Sequence, residues 1–193
     1  MNVGVLALQG DFDAHARALE RAGVGAFAVR DARELERADA LVLPGGESTA
    51  MLLGIARDGL EAPLRAYVAA GRPVLGTCAG AILLAREVTR PAQRSLGALD
   101  IAVERNAYGT QLDSFVCTAE VDDPGGELAG LECVLIRAPR IARVGPGVRV
   151  HARVKGDPAL LSTGPVFAAT FHPELGRDPR VYLAWLRSAS ARD

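Results

Sequence analysis

Hydrophobic and polar positions alternate in blocks through the first half of the chain. Short apolar runs predict four buried strands, at residues 3–8, 25–29, 40–43 and 73–76. Stretches with helical character lie between or after them, over residues 11–22, from about 48, over 60–70 and over 81–88. Asp11 is a suitable N-cap and Gly23 a suitable C-terminal stop for the first helix. This alternation predicts βαβ units on a mostly parallel sheet.

The pattern changes near residue 89, where strand-like segments follow one another with turns between them. These segments cover residues 99–103, 115–119, 131–136, 148–154 and 166–171, and a helical pattern returns at 179–191. Apolar and polar residues alternate over 148–154, so we expect one buried face, with His151 pointing outward. The second half therefore predicts an antiparallel extension that shares one sheet with the first half.

The composition of the 193 residues is that of one globular domain, which we expect to span residues 1–193. The net charge is −1, with 49% hydrophobic and 23% charged residues. A near-neutral chain lacks the excess of positive charge that binding to nucleic acids or acidic membranes requires. Small neutral or zwitterionic ligands fit this charge balance better. The longest charge-free stretches, 73–85 and 158–173, are shorter than the roughly 20 apolar residues of a membrane span.

The cysteines argue for a reducing compartment. Cys78, Cys117 and Cys133 are odd in number and have no CxxC spacing, which makes a disulfide framework unexpected. Met1 is followed directly by a strand pattern without a basic segment or cleavage site, so we expect no signal peptide. These features predict a cytoplasmic protein with reduced thiols.

The strongest chemical signal is the sequence GTCAG at residues 76–80, placed between a buried strand and a helix. A nucleophile elbow needs small residues on both sides of the nucleophile, and Gly76 and Gly80 provide that room. Cys78 would lie at a helix N-terminus, which favours the reactive thiolate, and the Ala79 N–H would serve as an oxyanion donor. The alternative is a buried structural cysteine between two ordinary glycines.

A cysteine nucleophile needs a base, and the chain has three histidines. For His15 and His151, a solvated or locally hydrogen-bonded role is the favoured interpretation. His172 directly follows a buried strand, at the sheet edge where open α/β sheets bind ligands. Glu174, two residues later, can accept a hydrogen bond from its imidazole and set the tautomer. Without Cys78, a His-Pro turn with a solvated Glu174 would be the preferred interpretation.

A third element follows the strand at 40–43, where Gly45 and Gly46 precede Glu47 and Ser48. Consecutive glycines at the end of a strand let backbone N–H groups point at a ligand, which makes Gly46 a second candidate oxyanion donor. A plain turn with a Glu or Ser helix cap explains the same residues almost equally well.

These motifs together resemble a known family. The elbow, the His-Pro-Glu segment and the glycine turn are similar to the class I, triad-type glutamine amidotransferases. The chain more closely resembles the glutaminase subunits of pyridoxal 5′-phosphate synthases, through LQG (8–10), LPGGEST (43–49), GTCAG (76–80), VERN (103–106), QLDSF (111–115), IRAP (136–139) and TFHPE (170–174).

The resemblance implies a fold and a reaction. The implied fold is three-layer α/β and flavodoxin-like, with a mostly parallel central sheet and an antiparallel extension. The implied activity is hydrolysis of L-glutamine to glutamate and ammonia through a γ-glutamyl thioester, with no cofactor and no metal. The ammonia would pass to a (β/α)₈ synthase subunit that builds pyridoxal phosphate, in a large heteromeric complex.

The resemblance also assigns roles to individual residues. Cys78, His172 and Glu174 would form the catalytic triad. Gly46 and Ala79 would form the oxyanion hole, and Gln9 would complete it and contact the synthase partner. The glutamine-binding residues would be Gly46, Glu47, Ser48, Arg105, Ile136 and Arg137. A bound glutamine carries an α-carboxylate and an α-ammonium, so arginine and acidic side chains are chemically suitable.

Three alternatives remain at this point. The chain could be the glutaminase of another class I amidotransferase, or a free-standing cysteine hydrolase of similar fold. It could also be a catalytically silent binding subunit that retains the fold. The intact Cys, His and Glu set argues against the silent subunit, but distances between those side chains do not follow from sequence.

Overall fold

The computed structural model describes residues 1–105 and 114–190. Residues 106–113, which include parts of the VERN and QLDSF motifs, and the end of the last predicted helix at residue 191 lie outside the described residues. The helices are α1 (Phe12–Arg21), α2 (Ala32–Glu36), α3 (Ser48–Arg57), α4 (Glu61–Ala69), α5 (Ala79–Leu84) and α6 (Arg180–Ser190). The strands are β1 (Val3–Leu6), β2 (Ala26–Val29), β3 (Ala40–Leu43), β4 (Val74–Thr77), β5 (Ala85–Thr89), β6 (Leu99–Glu104), β7 (Phe115–Thr118), β8 (Glu120–Val121), β9 (Glu132–Leu135), β10 (Arg140–Val144), β11 (Arg149–Val154), β12 (Asp157–Thr163) and β13 (Val166–Ala169).

The central sheet has eight strands in the order β2-β1-β3-β4-β13-β12-β11-β8. Its first five strands are parallel, and the remaining three continue it in antiparallel fashion. The predicted parallel sheet and antiparallel extension are therefore confirmed. Because β1, β3, β4 and β13 are adjacent and parallel, the loops after these four strands meet at one edge of the sheet.

Both faces of the sheet are covered, which makes the fold three-layered. Along β3, Leu41 and Leu43 belong to one hydrophobic cluster and Ala40 and Val42 to the other, because successive side chains of a strand point to opposite faces. The first cluster contains apolar side chains from α2 to α5 and from β5, β6 and β10, and the second contains side chains from α1, α6 and β9. Each face thus carries its own core.

Two details of the prediction are wrong. The helix expected over 81–88 ends at Leu84, and β5 begins at the next residue, where Arg86 and Glu87 are exposed and Val88 is buried. The second half does not share one sheet with the first throughout, because β5, β6 and β10 form a separate three-stranded sheet and β7 and β9 a two-stranded one. Strands β8, β10 and β12 and helix α2 were not predicted; β12 pairs through non-local contacts with β11 and β13.

His151 also departs from its expected position. It is half-buried, with Nε2 2.7 Å from the Ser162 hydroxyl and its ring stacked on Phe167 at 5.3 Å between centroids. The register between β11 and β12 shifts on both sides of Ala152. Such irregularities re-aim side chains, so simple alternation along 148–154 does not place His151 outside. No helix within the described ranges is long and apolar enough to cross a bilayer.

Candidate active site

Cys78 lies at a sharp turn between β4 and α5. Its backbone has φ 46° and ψ −101°, a left-handed conformation that is strained for a residue with a side chain. Its N–H donates to the Ala169 carbonyl at 2.8 Å, and the Gly80 N–H donates to the Pro44 carbonyl at 3.1 Å. The turn is thus tied to two neighbouring segments of the sheet edge. The side chain of Cys78 is held at the start of a helix with a strained backbone, as a nucleophile elbow requires.

The two flanking glycines are needed because the backbone packs closely at this turn. A Cβ on Gly76 would come within 2.6 Å of the Gly80 carbonyl, and a Cβ on Gly80 would overlap the carbonyl oxygen of Leu43. Neither contact can be relieved by a side-chain rotation, since the opposing atoms belong to the backbone. The elbow therefore depends on close approach of β3, β4 and α5.

His172 and Cys78 meet above Gly45. A Cβ built on Gly45 would lie 2.5 Å from His172 Cε1 and 3.4 Å from Cys78 Cβ, so both side chains border the same small space. His172 follows β13 and is fixed by its own N–H, which donates to the Val134 carbonyl at 2.8 Å. Its Nδ1 lies 2.6 Å from Oε1 of Glu174, whose side chain is only 3% exposed. Cys78, His172 and Glu174 are therefore aligned in that order, from the cavity into the protein.

The charges of these side chains are coupled. Burial lowers the pKa of His172, but hydrogen bonding to Cys78 and Glu174 and their negative charges outweigh burial and raise it to about 10. Burial raises the pKa of Glu174, but the hydrogen bond from His172 and the nearby His15 and His172 bring it below its usual value. At neutral pH this favours an imidazolium at His172 beside an ionised Glu174.

A cavity of about 250 Å³ opens above Cys78. Cys78 and His172 line it, and around them lie Gln9, Gly46, Glu47, Ser48, Ile82, Arg105, Ile136, Arg137 and Pro139. Nine of the residues singled out in the sequence are thus brought to one cavity from six separate segments of the chain. Ala79 and Glu174 are absent from the lining; Ala79 is buried at the start of α5, and Glu174 lies behind His172.

Gln9 links the loop after β1 to the glycine turn after β3. Its side-chain Oε1 accepts a hydrogen bond of 2.8 Å from the N–H of Glu47. Gly46 has φ 145°, and a Cβ there would overlap the amide of Gln9. The close contact of Gln9 with this turn therefore requires glycine at position 46.

Glu47 is the N-cap of α3. Its carboxylate accepts hydrogen bonds from the N–H groups of Thr49 at 3.2 Å and Ala50 at 2.7 Å. Arg105, whose side chain is 13% exposed, donates to the same carboxylate at 3.2 Å and to the Thr49 hydroxyl at 3.1 Å. Glu47 therefore caps the helix, as one interpretation of the sequence expected, and also lines the cavity. Arg105 is held against it with its charge already paired.

Arg137 presents a different cation to the cavity. It is exposed, has a left-handed backbone with φ 46°, and follows the half-buried Ile136. Within residues 1–105 and 114–190, no carboxylate pairs with its guanidinium. Arg137 is thus available to bind an anionic group that enters the cavity.

Two backbone donors, one on the cavity lining and one at the start of α5, lack acceptors. Among the described residues, the N–H groups of Gly46 and Ala79 have no hydrogen-bond partner. Ala79 is the first residue of α5, where the N–H groups of a helix have no partner within the helix itself. Among the described residues both N–H groups thus remain available as donors, that of Gly46 on the cavity lining and that of Ala79 directly after Cys78.

The chain is similar to known proteins over nearly its whole length. The SNO glutamine amidotransferase family model matches residues 5–190. The chain belongs to this family. A relative from Koribacter versatilis, named pyridoxal 5′-phosphate synthase subunit PdxT, is 52% identical over 187 residues, which cover 97% of this chain and 95% of the relative. A relative of the same name from Deinococcus radiodurans is 48% identical over 197 residues, covering 100% of this chain and 99% of the relative.

Solved structures agree with the SNO family assignment. A crystal structure described as a glutamine amidotransferase has a TM-score of 0.89 at 46% identity and covers 97% of this chain and 98% of its own. A glutamine amidotransferase from Thermotoga maritima has a TM-score of 0.65 at 15% identity, covering 100% of this chain and 97% of its own, which shows the shared fold alone. The expected family, fold class and enzyme class, a glutamine amidotransferase, are confirmed.

Sequence reasoning missed two polar residues near this amidotransferase site. His15, expected to be solvated or locally bonded, is fully buried, with Nε2 3.6 Å from Oε2 of Glu174. Gln93 accepts hydrogen bonds from the hydroxyls of Ser48 at 3.0 Å and Thr49 at 3.5 Å, from a segment without recognisable motifs. The polar residues of the first helix made His15 look like part of a solvated face. Gln93 is brought close to Ser48 only by tertiary packing.

Proposed function

We propose that this chain hydrolyses L-glutamine with Cys78 as nucleophile, His172 as proton carrier and Glu174 as its orienting carboxylate. The observation that carries the proposal is their alignment: Cys78 and His172 border one small space, and Glu174 lies 2.6 Å behind the imidazole. A carbon–nitrogen bond of an amide is broken most readily when a strong nucleophile, a proton donor and an oxyanion site converge on it.

The first half of the reaction forms a γ-glutamyl thioester. The Cys78 thiolate attacks the side-chain amide carbon of glutamine, and the carbonyl oxygen becomes an oxyanion that the N–H groups of Ala79 and Gly46 stabilise. His172 then gives its Nε2 proton to the amide nitrogen. The carbon–nitrogen bond breaks, and ammonia leaves.

The second half restores the enzyme. Neutral His172 takes a proton from a water molecule, whose oxygen attacks the thioester carbon. The carbon–sulfur bond breaks, glutamate is released, and the proton that His172 gained restores the imidazolium beside the Cys78 thiolate. Glutamine and water are consumed and glutamate and ammonia are formed, so no cofactor or metal enters the balance.

The residues around the cavity fit the polar ends of glutamine. Arg137 is placed to bind the α-carboxylate, because its guanidinium forms no ion pair with a carboxylate of the described residues. Glu47 offers a carboxylate of lowered pKa, which suits the α-ammonium, and Arg105 keeps Glu47 in place. Gly46, Ser48 and Ile136 border the remaining surface of the cavity, where they would contact the chain of the substrate.

The product ammonia serves a synthase partner. The relatives carry the name of a pyridoxal 5′-phosphate synthase subunit, and we propose that this chain likewise supplies ammonia for pyridoxal phosphate synthesis. The partner is a (β/α)₈ synthase subunit, joined with this one in a large heteromeric complex. Gln9, which already contacts Glu47, is placed to transmit docking of the partner to the Gly46 turn. A cytoplasmic location, where thiols stay reduced, suits the three free cysteines.

The deciding experiment measures ammonia release from glutamine by the full chain, with and without its cognate synthase subunit. We expect slow release from the isolated chain, faster release with the partner, and none above background from Cys78→Ala in either condition. Cys117→Ala is the matched control, since that thiol lies away from the cavity on β7, and it should retain native activity.

Two results would contradict parts of the proposal. Equal release by the native protein and Cys78→Ala, with partner present, overturns the glutaminase mechanism and supports a silent binding subunit. Release that depends on Cys78 but is stimulated by a different synthase overturns only the assignment to pyridoxal phosphate synthesis.

A further inference from the structure

Glu174 has two carboxylate oxygens, and the triad uses only one of them. Oε1 accepts the hydrogen bond from His172 Nδ1. Oε2 is buried and has no hydrogen-bond partner among the described residues. A buried carboxylate oxygen without a donor is unfavourable, so the groups that face it bear on how Glu174 is held.

His15, on α1, faces this second oxygen. Its Nε2 lies 3.6 Å from Glu174 Oε2 and 3.3 Å from the Thr77 hydroxyl, and its side chain is fully buried. The separation from Glu174 is longer than a hydrogen bond, as catalytic contacts often are before substrate binds. Thr77 is the last residue of β4, directly before Cys78. His15 therefore lies between Glu174, which supports His172, and Thr77, which directly precedes Cys78.

Tyr182, on α6, contacts the other ring nitrogen of His15. Its hydroxyl lies 2.9 Å from His15 Nδ1, and its side chain is completely buried. Burial, then the charge of Glu174, raises the pKa of Tyr182 well above its usual value, so the phenol keeps its proton. Burial lowers the pKa of His15, against an opposing contribution from Glu174, so the ring has one proton at neutral pH. A hydrogen bond donated by the Tyr182 hydroxyl to Nδ1 would leave that proton on Nε2, which lies between Thr77 and Glu174.

We propose that His15 is a positioning residue of the active site, whose Nε2–H, directed by Tyr182, holds Oε2 of Glu174 so that Oε1 stays aimed at His172. This inference rests on the proposed triad. It extends the chain of polar contacts to five side chains, in the order Tyr182, His15, Glu174, His172, Cys78. In the opposite tautomer Nε2 would accept from the Thr77 hydroxyl, but its lone pair would also face Oε2 of Glu174, which is electrostatically unfavourable.

The groups that face Glu174 define the expected pH effect. They are His15 from α1, Tyr182 from α6 and His172 from its own turn, with Cys78 beyond His172. Removing the N–H of His15 takes away a group that favours the carboxylate, so Glu174 should protonate at higher pH. Activity needs the ionised carboxylate, and the acid limb of the kcat profile should therefore move to higher pH.

The test compares His15→Leu with His15→Gln in the full chain bound to its cognate synthase subunit. Leucine fills the space without a donor, whereas glutamine can place an N–H near the position of Nε2. For His15→Leu we expect kcat to fall roughly ten- to hundred-fold, the KM for glutamine to stay within about two-fold, and the acid limb to shift upward. His15→Gln should recover kcat to within about three-fold of native and restore the acid limb.

Two further measurements keep the test decisive if His15→Leu does not fold. Nitrogen NMR of the native chain should show the proton of His15 on Nε2, and Tyr182→Phe should weaken that preference and lower kcat by less than His15→Leu does. His151→Leu is the matched control, because it removes a half-buried histidine bonded to a serine hydroxyl away from the cavity. It should retain native kcat and an unshifted profile.

The inference fails if a folded His15→Leu has native kcat, if Gln and Leu variants lose kcat equally, or if the native tautomer has its proton on Nδ1. Cys78→Ala separates this failure from that of the proposed function. If Cys78→Ala is inactive while His15→Leu matches native, only the positioning role is overturned. If Cys78→Ala is as active as native, the triad itself is overturned.

Discussion

Nδ1 of His172 lies 2.6 Å from Oε1 of Glu174, although only Pro173 separates the two residues in sequence. The turn after β13 brings the carboxylate beneath the imidazole, and both side chains are nearly buried, at 12% and 3% exposed. A short, charge-assisted contact in such surroundings stabilises the imidazolium. In the proposed mechanism, the proton that His172 gives to the leaving amide nitrogen is thus held in place before substrate arrives.

Glu174→Gln tests this link through pH. The variant keeps the size of the side chain but removes its charge, so the pKa of His172 should fall from about 10. We expect kcat to fall roughly a hundred-fold or more. His172 should also lose its proton at a lower pH, so that Cys78 lacks an imidazolium partner over a wider range of pH. The measurement is the rate of iodoacetamide alkylation and of glutamine hydrolysis across pH.

The same pair makes a prediction for stability. A histidine whose pKa is raised on folding stabilises the native state fully below its unfolded value, 6.5, and this contribution is lost as pH rises through about 10. The free energy of unfolding of the native chain should therefore decline more steeply between those two pH values than that of Glu174→Gln. Urea denaturation at several pH values measures both slopes, and identical slopes would contradict the coupling.

Gly80→Ala tests the packing that supports the elbow. The added Cβ would overlap the carbonyl oxygen of Leu43, so β3 or α5 must shift. We expect a loss of about 1–3 kcal/mol in the free energy of unfolding, together with a large loss of activity because Cys78 moves. Urea denaturation and glutamine hydrolysis are the measurements.

Gly25→Ala is the control for that substitution. A Cβ on Gly25 meets nothing within 4 Å, and its φ is not in the left-handed region. Its stability should be unchanged or slightly increased, since alanine restricts the unfolded chain more than glycine does. If both variants behave alike, the close approach of Gly80 to Leu43 is not what holds the elbow.

Much of this site follows from local sequence because its parts lie at strand ends. Cys78, His172 and the Gly46 turn each follow an apolar run that predicts a buried strand, and parallel strands bring their carboxyl ends to one edge. His15 could not be placed in the same way. It lies on a helix whose sequence has many charged residues, and only the docking of α6 through Tyr182 shows that this position is buried.

The wrong predictions for the end of α5 and for the position of His151 have a common physical cause. The apolar run in α5 predicts a longer helix, but β5 is selected by pairing with β6, which starts at residue 99. Similarly, His151 is drawn inward by irregular pairing of β11 with β12. Propensity and periodicity describe one segment at a time, whereas these outcomes depend on a partner strand elsewhere in the chain.

Arg137→Asn tests the proposed carboxylate site. Asparagine tolerates the left-handed backbone at this position, so the change removes the guanidinium without added strain. Loss of a charged hydrogen bond, about 1.5–3 kcal/mol, should raise the KM for glutamine roughly ten- to hundred-fold while kcat stays within about two-fold.

Arg143→Asn provides the comparison for Arg137. This exposed arginine on β10 pairs with Asp100 and does not line the cavity, so its KM should match that of the native chain. An Arg137→Asn variant with native KM would show that the α-carboxylate binds elsewhere, with Arg105 as the next candidate.

Glu47→Ala tests whether one carboxylate both caps α3 and prepares the cavity. The substitution removes the acceptor for the N–H groups of Thr49 and Ala50 and frees Arg105, so we expect a loss of about 1 kcal/mol in the free energy of unfolding and a higher KM for glutamine. Burial raises the pKa of Glu47, but the backbone N–H groups of Ala50 and Thr49, with the Thr49 hydroxyl and Arg105, outweigh it and lower the pKa overall. The stabilising contribution of Glu47 is therefore present above pH 4.5 and lost as pH falls through the lowered pKa, so the native and variant stabilities should converge in acid.

Glu20→Ala is the control for Glu47→Ala, because Glu20 is an exposed glutamate on α1. It should change neither the free energy of unfolding nor the KM for glutamine. A Glu47→Ala variant that loses stability but keeps native KM would separate the helix cap from substrate binding.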